Sequence, residues 1–261
     1  MTDAFIPAPP LLARPDLAAL SLEGMVRAEA YRPTRPMRAV VAVADIHAGA
    51  DTASERIDQL LFGEAFDVLD EADGRAWGQA RRDGVVGWID LPCLAPGLVR
   101  PTQTIRAVDA ELPLNALVVE GAESGNLRRI GTFETDPVEV AERLVGTPHE
   151  LGARSSRATD CSGLVQQALL ACGFAGPRRS HEQAELGESI ARTDARRGDL
   201  VIWLNTTPGQ SWTGHSALML DATRVVHASG HHGAVVIEML AEADARYLAD
   251  GFEAARFRRI L

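Results

Sequence analysis

Asp160-Cys161-Ser162-Gly163-Leu164-Val165-Gln166 sets a thiol beside a carboxylate at what reads as the first turn of a helix. Two histidines follow downstream, in Gly214-His215-Ser216-Ala217 and in Val225-Val226-His227-Ala228-Ser229. A thiol becomes an effective nucleophile when a base lies within hydrogen-bond reach and a third polar group fixes the tautomer of that base. Cys161, His215 and His227 supply those three types. A helix beginning at Cys161 and capped by Thr159 or Asp160 aims its unpaired N–H groups and the positive end of its dipole at the sulfur, which favours thiolate over thiol. Cysteine is more often a small buried hydrophobe. Cys93 and Cys172, in apolar surroundings, read that way, whereas the polar neighbours and the two histidines set Cys161 apart.

The elements that must position these groups can be read around them. Leu164, Val165, Ala168, Leu169 and Cys172 recur at helical spacing behind the thiol, and Gly173 supplies a stop. Asp136-Pro137 to Leu144 reads as a shorter helix with Asp136 as its cap. Strands are expected at Leu200 to Leu204, Ser216 to Leu220, Arg224 to Ala228 and Ala234 to Glu238, so both histidines lie on strands joined near Asp221. They share a face only if the pairing indices sum to 442, which needs an odd-length turn or a bulge; a four-residue turn at Asp221 to Arg224 separates them. Helix before sheet, without alternation, indicates an α+β domain over residues 135–261.

Upstream the pattern changes. Residues 1–35 form a proline-rich arm with a helical pattern at Leu17 to Ala30. Residues 36–97 carry short strands at Arg38 to Val43, Gln59 to Leu61, Ala65 to Leu69, Ala76 to Ala80 and Val85 to Ile89, separated by turns with Gly63, Asp73-Gly74 and Asp83-Gly84. Such spacing points to a small all-β barrel or sandwich. Residues 98–134 hold a shorter set, Thr104 to Val108, Ala116 to Glu120 and Leu127 to Phe133, read as a reduced second copy or a linker.

A formal net charge of −10 and a pI near 5.2 argue against nucleic acid or an anionic membrane as the main partner. No apolar run approaches membrane-spanning length, and Met1 to Leu20 lacks the basic and apolar regions of a secretory signal. With three cysteines and no disulfide framework, a reduced, cytoplasmic setting is the simplest expectation. His215, His227, His231 and His232 do not match a zinc spacing, so no metal is expected. His47 reads as a turn residue and His181 as a surface or rim residue.

Together these residues resemble the NlpC/P60 family of cysteine peptidases, which cut bacterial cell-wall peptides. The likeness runs from about Pro137 to the C-terminus and includes Gly146-Thr147-Pro148, Arg154-Ser155-Ser156, Pro177-Arg178, Gln183 and Arg197-Gly198-Asp199-Leu200-Val201. Leu61-Phe62-Gly63-Glu64 and Gly87-Trp88-Ile89 are similar to a bacterial SH3 domain. The resemblance implies a papain-like catalytic domain, with Cys161 as nucleophile, His215 as general base and His227 as the residue that orients it. It implies no cofactor, and a small muropeptide substrate cut between γ-D-glutamate and the diamino acid. His149, Asp160, Ser162, Arg179 and Ser180 are the expected substrate contacts. The chain departs from the family at His149, Glu150 and Leu151, where tyrosine, leucine and tryptophan are common, and at Arg179, where many recycling-type members carry an aspartate that binds a free amine. A fixed cation there repels ammonium and attracts carboxylate. Two other readings stay open: a thiol amidase or acyltransferase with another substrate, and a non-catalytic module that binds muropeptides or a protein.

Overall fold

The computed structural model describes residues 10–51, 53–119, 126–205 and 214–260. The chain divides into two units, Met1–Ile130 and Gly131–Leu261.

The first unit is all-β. It opens with β1 (Leu17–Ala19) and β2 (Ala30–Arg32), which pair in parallel. The arm is therefore extended where helical spacing had suggested a helix. Leu17, Ala18 and Ala19 are buried in succession, which no single helix face could provide. Leu12, Leu17 and Ala19 pack on Leu69 and Trp77, and the Arg14 guanidinium lies 4.3 Å from the Trp77 ring centre. Next come β3 (Arg35–Ala39), β4 (Val43–His47), β5 (Arg56–Leu61), β6 (Ala65–Ala72), β7 (Arg75–Ala80), β8 (Val86–Asp90) and β9 (Leu94–Pro96). They form one antiparallel sheet in the order β5-β4-β8-β7-β6-β3-β9, closed around Met37, Ile46, Leu60, Phe66 and Ile89. After it, β10 (Gln103–Ile105), β11 (Leu117–Val118) and β12 (Leu127–Arg129) make a three-stranded sheet. Glu120, at the end of one expected strand, lies outside the described residues, as do residues 1–9 of the arm.

The second unit is α+β, as the pattern of elements indicated. It begins with α1 (Pro137–Glu142), capped by Asp136, whose carboxylate accepts from the Val138 N–H at 2.8 Å. Then come α2 (Cys161–Ala171), α3 (Ser180–Gln183), β13 (Glu188–Ile190), β14 (Leu200–Leu204), β15 (Gly214–Met219), β16 (Arg224–Ser229), β17 (Ala234–Met239), α4 (Leu240–Ala249) and β18 (Arg256–Arg259). The sheet is antiparallel, in the order β13-β18-β14-β15-β16-β17.

The register between β15 and β16 pairs Leu218 with Val226 and Met219 with Val225, and the Leu220 N–H closes the turn on the Arg224 carbonyl. The loop is Asp221-Ala222-Thr223, an odd length, and the paired indices sum to 444 rather than 442. Any even sum keeps the two histidines on one face, so His215 and His227 are diagonal neighbours, not directly opposed. β17 pairs Val225 with Glu238, which adds Glu238 to that face. The face is covered by α4 through Leu240, Ala243 and Tyr247, packed with Val201, Trp203, Ala217, Met219 and Val225. Among the described residues no helix is long and apolar enough to cross a membrane.

Candidate active site

The start of α2 is fixed from below. Asp160 caps the helix by accepting from the Gly163 N–H at 2.7 Å, and its other oxygen accepts from Gly152 at 2.9 Å. Arg178 donates to both oxygens, at 3.0 and 2.7 Å, and also to the Ser162 hydroxyl at 3.1 Å. Gln183 spans the Ser162 and Pro177 carbonyls at 2.9 and 3.0 Å. Gly163 permits this fit, since a Cβ there would stand 2.4 Å from the Ala153 carbonyl oxygen. Asp160 and Ser162, expected to contact substrate, thus have their side chains engaged in holding the helix.

Cys161 is half-buried at the start of that helix. Its sulfur is 3.8 Å from the Ser180 hydroxyl and 4.0 Å from the Gly214 carbonyl, and the Ser216 N–H also bonds to it. The thiol therefore lies against the backbone on either side of His215. Gly214 allows the approach: a Cβ there would come within 2.9 Å of the Ser180 Cβ. Burial, followed by the Asp160 charge, pushes the thiol up to about 11, against the N–H groups of Ser216 and Ser162. The thiolate expected at a helix start is thus not the resting form. The carboxylate cap offsets the dipole, and enclosure outweighs the remaining N–H groups.

Behind the thiol, His215 Nε2 lies 2.6 Å from His227 Nδ1, with the rings edge to face. The Tyr247 ring stacks on His215 at 4.3 Å and 24°. His227 is fully buried, and its Nε2 is 2.6 Å from Glu238 Oε1. Arg246 of α4 grips both oxygens of Glu238. Burial, then the neighbouring His227, holds the His215 imidazolium well below its ordinary range. His227 is lowered as well, chiefly by burial, with Glu238 opposing. Burial disfavours the Glu238 carboxylate, but the bonds from His227 and Arg246 prevail and bring it to about 2.

The remaining expected residues lie around this line. Ser180 opens α3 and touches the sulfur, and exposed Arg179 precedes it, its N–H bonded to Glu182 at 3.0 Å. His149 is half-buried, its N–H bonded to the Gly233 carbonyl, and its ring is 3.5 Å from where a Gly230 Cβ would stand. Burial lowers both His149 and half-buried His181. His231 and His232 are exposed in the turn after β16. Among the described residues no cluster of side chains suited to a metal ion occurs. Reading the sequence alone missed Glu238, Arg246 and Tyr247. One signal was present: Leu240, Ala243 and Tyr247 recur at helical spacing.

The Cys161 sulfur thus lies against the backbone on either side of His215, and the His215 and His227 rings are in contact. Residues 146–250 match the NlpC/P60 family, and residues 46–92 match the bacterial dipeptidyl-peptidase SH3 domain. The second unit thus carries an NlpC/P60 domain and the first a bacterial SH3 domain. Among curated proteins, the murein DD-endopeptidase MepS/murein LD-carboxypeptidase of Escherichia coli K12 is 33% identical over 110 residues, which are 39% of this chain and 56% of that protein. The gamma-DL-glutamyl hydrolase of Bacillus subtilis 168 is 33% identical over 100 residues, covering 38% of this chain and 24% of that protein. The chain therefore spans about half the length, or less, of these relatives. An NlpC/P60 family protein from Bacillus cereus ATCC 10987 shares the fold, with a TM-score of 0.71 at 15% identity over 87% of this chain and 99% of that one.

Proposed function

We propose that this protein is a cysteine peptidase acting on peptides of the bacterial cell wall, with Cys161 as nucleophile, His215 as general base and His227 as its orienting partner. The observation that carries this reading is the 2.6 Å contact between His215 Nε2 and His227 Nδ1, which leaves His215 Nδ1 for the thiol held against Gly214 and Ser216. The thiol and imidazole both rest neutral. Proton transfer to Nδ1 therefore accompanies attack of Sγ on the scissile carbonyl. The tetrahedral oxyanion is met by the N–H of Cys161, which as the first helical residue has no acceptor within its own helix. His215 then gives the proton to the leaving amine as the C–N bond breaks, and water cleaves the thioester by the same route in reverse.

The relatives' names, a murein endopeptidase and a gamma-DL-glutamyl hydrolase, support peptidoglycan peptides as the substrate class. The bond assigned is the one joining γ-D-glutamate to the diamino acid, in a small muropeptide. Ser180, whose hydroxyl touches the sulfur, is assigned to substrate contact together with His149 and Arg179. The test is incubation with a panel of defined muropeptides, with products identified by mass. Cleavage at γ-D-glutamyl bonds by the wild type and not by Cys161→Ala is the expected result. Turnover of none of the panel, with an unreactive Cys161, favours a binding module instead.

A further inference from the structure

Glu238 was not among the residues the sequence pointed to, yet it closes the line that begins at the thiol. It lies on β17, on the sheet face that carries His215 and His227, with only 8% of its side chain exposed. Four groups face it or His227: His215 on β15, Arg246 and Tyr247 on α4, and His232 in the turn, 3.4 Å from Glu238 Oε2 and largely solvated. His149 adds its charge to the field at His215. Glu238 is the one anion among them.

An anion beside His227 Nε2 holds the ring proton on that nitrogen. His227 Nδ1 is then a lone pair, which at 2.6 Å can only accept, so His215 Nε2 carries the hydrogen between the rings. A neutral His215 protonated on Nε2 has a bare Nδ1. We infer that Glu238, itself gripped by Arg246, is a positioning residue that assigns the protons of both histidines and keeps the His215 nitrogen not bound to His227 free to take the thiol proton. When Nδ1 takes the proton from Cys161, the positive charge on His215 is relayed through the inter-ring hydrogen bond toward His227 and answered by the Glu238 carboxylate. No proton needs to leave the line. The inference rests on the proposed roles of Cys161 and His215.

The test variant is Glu238→Gln, which keeps the shape. Oε1 faces two donors, His227 Nε2 and Arg246 Nη2, so the amide oxygen takes that place; the charge is lost, together with the Arg246 Nη1 bond to Oε2. The readout is the rate of Cys161 alkylation by a neutral haloacetamide from pH 5 to 10, which requires no substrate. Without the anion the thiolate–imidazolium pair is disfavoured. The pH giving half-maximal labelling moves up by about one unit, and the rate at pH 7 falls about tenfold. His232→Ala leaves the profile unchanged. In the wild type, ring nitrogen-15 shifts should show His227 protonated on Nε2 and His215 bare on Nδ1; this measurement stands even if the variant does not fold.

A folded Glu238→Gln with the wild-type profile, or a His227 protonated on Nδ1 alone, overturns the inference. The two failures are separable. Labelling that depends on Glu238 with no muropeptide cleaved sinks the proposed function and leaves this inference standing, whereas cleavage with labelling indifferent to Glu238 does the reverse.

Discussion

Two buried polar networks meet near the Cys161 thiol and differ in what they leave free. Under α2, Asp160 takes donors from Gly152, Gly163 and Arg178, and Arg178 adds a bond to Ser162. Both carboxylate oxygens are bonded and the guanidinium is gripped from several sides, so this network can only hold. Behind His215 the contacts run in a line, His215 to His227 to Glu238 to Arg246, and each imidazole can gain or lose a proton. A scaffold saturates its donors and acceptors, while a relay needs members with two protonation states. The same burial serves both. It makes a broken Asp160–Arg178 pair expensive, and it keeps the histidines neutral at rest.

The largest effect that would test this division is on turnover. Cys161→Ala should lower kcat by about 10⁴-fold or more with the fold intact, since that side chain sits at the end of the helix. His215→Ala should fall nearly as far, and His227→Ala less, because water can stand in for an orienting partner. A larger loss at His227 than at His215 would exchange their roles.

The next effect is on stability and belongs to the scaffold. Arg178→Met leaves Asp160 as a buried charge without its counter-ion and should cost about 3 to 5 kcal/mol. Denaturant unfolding reads the loss, and hydrogen exchange at the α2 amides assigns it to the second unit. A change below about 1 kcal/mol would mean that the helix start is held by its backbone capping bonds alone.

Protonation should then distinguish the networks through the pH dependence of stability. His215 and His227 are both held below 6.5 by burial, so each binds a proton more readily in the unfolded chain. Their contribution is complete above pH 6.5 and is lost as pH falls toward the folded values, at up to about 1.4 kcal/mol per pH unit for each histidine. His149 and His181 are shifted the same way and add to the slope. His227→Gln should flatten the slope below pH 6.5, by at most one proton. An unchanged slope would mean that His227 is protonated in the folded protein.

How much of this was legible in the sequence follows the same division. The thiol, its helix, the Asp160 cap and the Gly173 stop are local features, written within a dozen residues, and the sheet strands carrying both histidines could be read in the same way. The relay beyond His227 is not local. Glu238 joins it through the pairing of β16 with β17, and Arg246 through the docking of α4, so neither follows from spacing around the histidines. The ionisation of the thiol was misjudged for a related reason. The helix dipole is evident in a sequence, whereas enclosure by Ser180, Gly214 and Ser216 comes from distant segments. The arm misled because apolar residues at helical spacing also suit short extended segments that lie against Trp77.

The smallest effect concerns a charged residue beside Ser180 that belongs to neither network. Arg179 is exposed, and it immediately precedes Ser180, whose hydroxyl touches the Cys161 sulfur, which sets this residue at the rim of the site. Glu182 turns a carboxylate oxygen to the Arg179 backbone N–H, which fixes the start of α3 and not the direction of the side chain. A cation at that rim disfavours a substrate with a free ammonium and favours a blocked or anionic end. Because the group is solvated, the effect should be modest: Arg179→Asp should shift the ratio of kcat/KM for free-amine over amine-blocked L-Ala-γ-D-Glu-diaminopimelate by about tenfold toward the free amine. The shift should shrink in high salt, as exposed charges are screened. A wild type that already prefers the free amine, with a ratio indifferent to Arg179→Asp, would mean that the amine is anchored by another acidic group and that Arg179 plays no part in choosing the substrate.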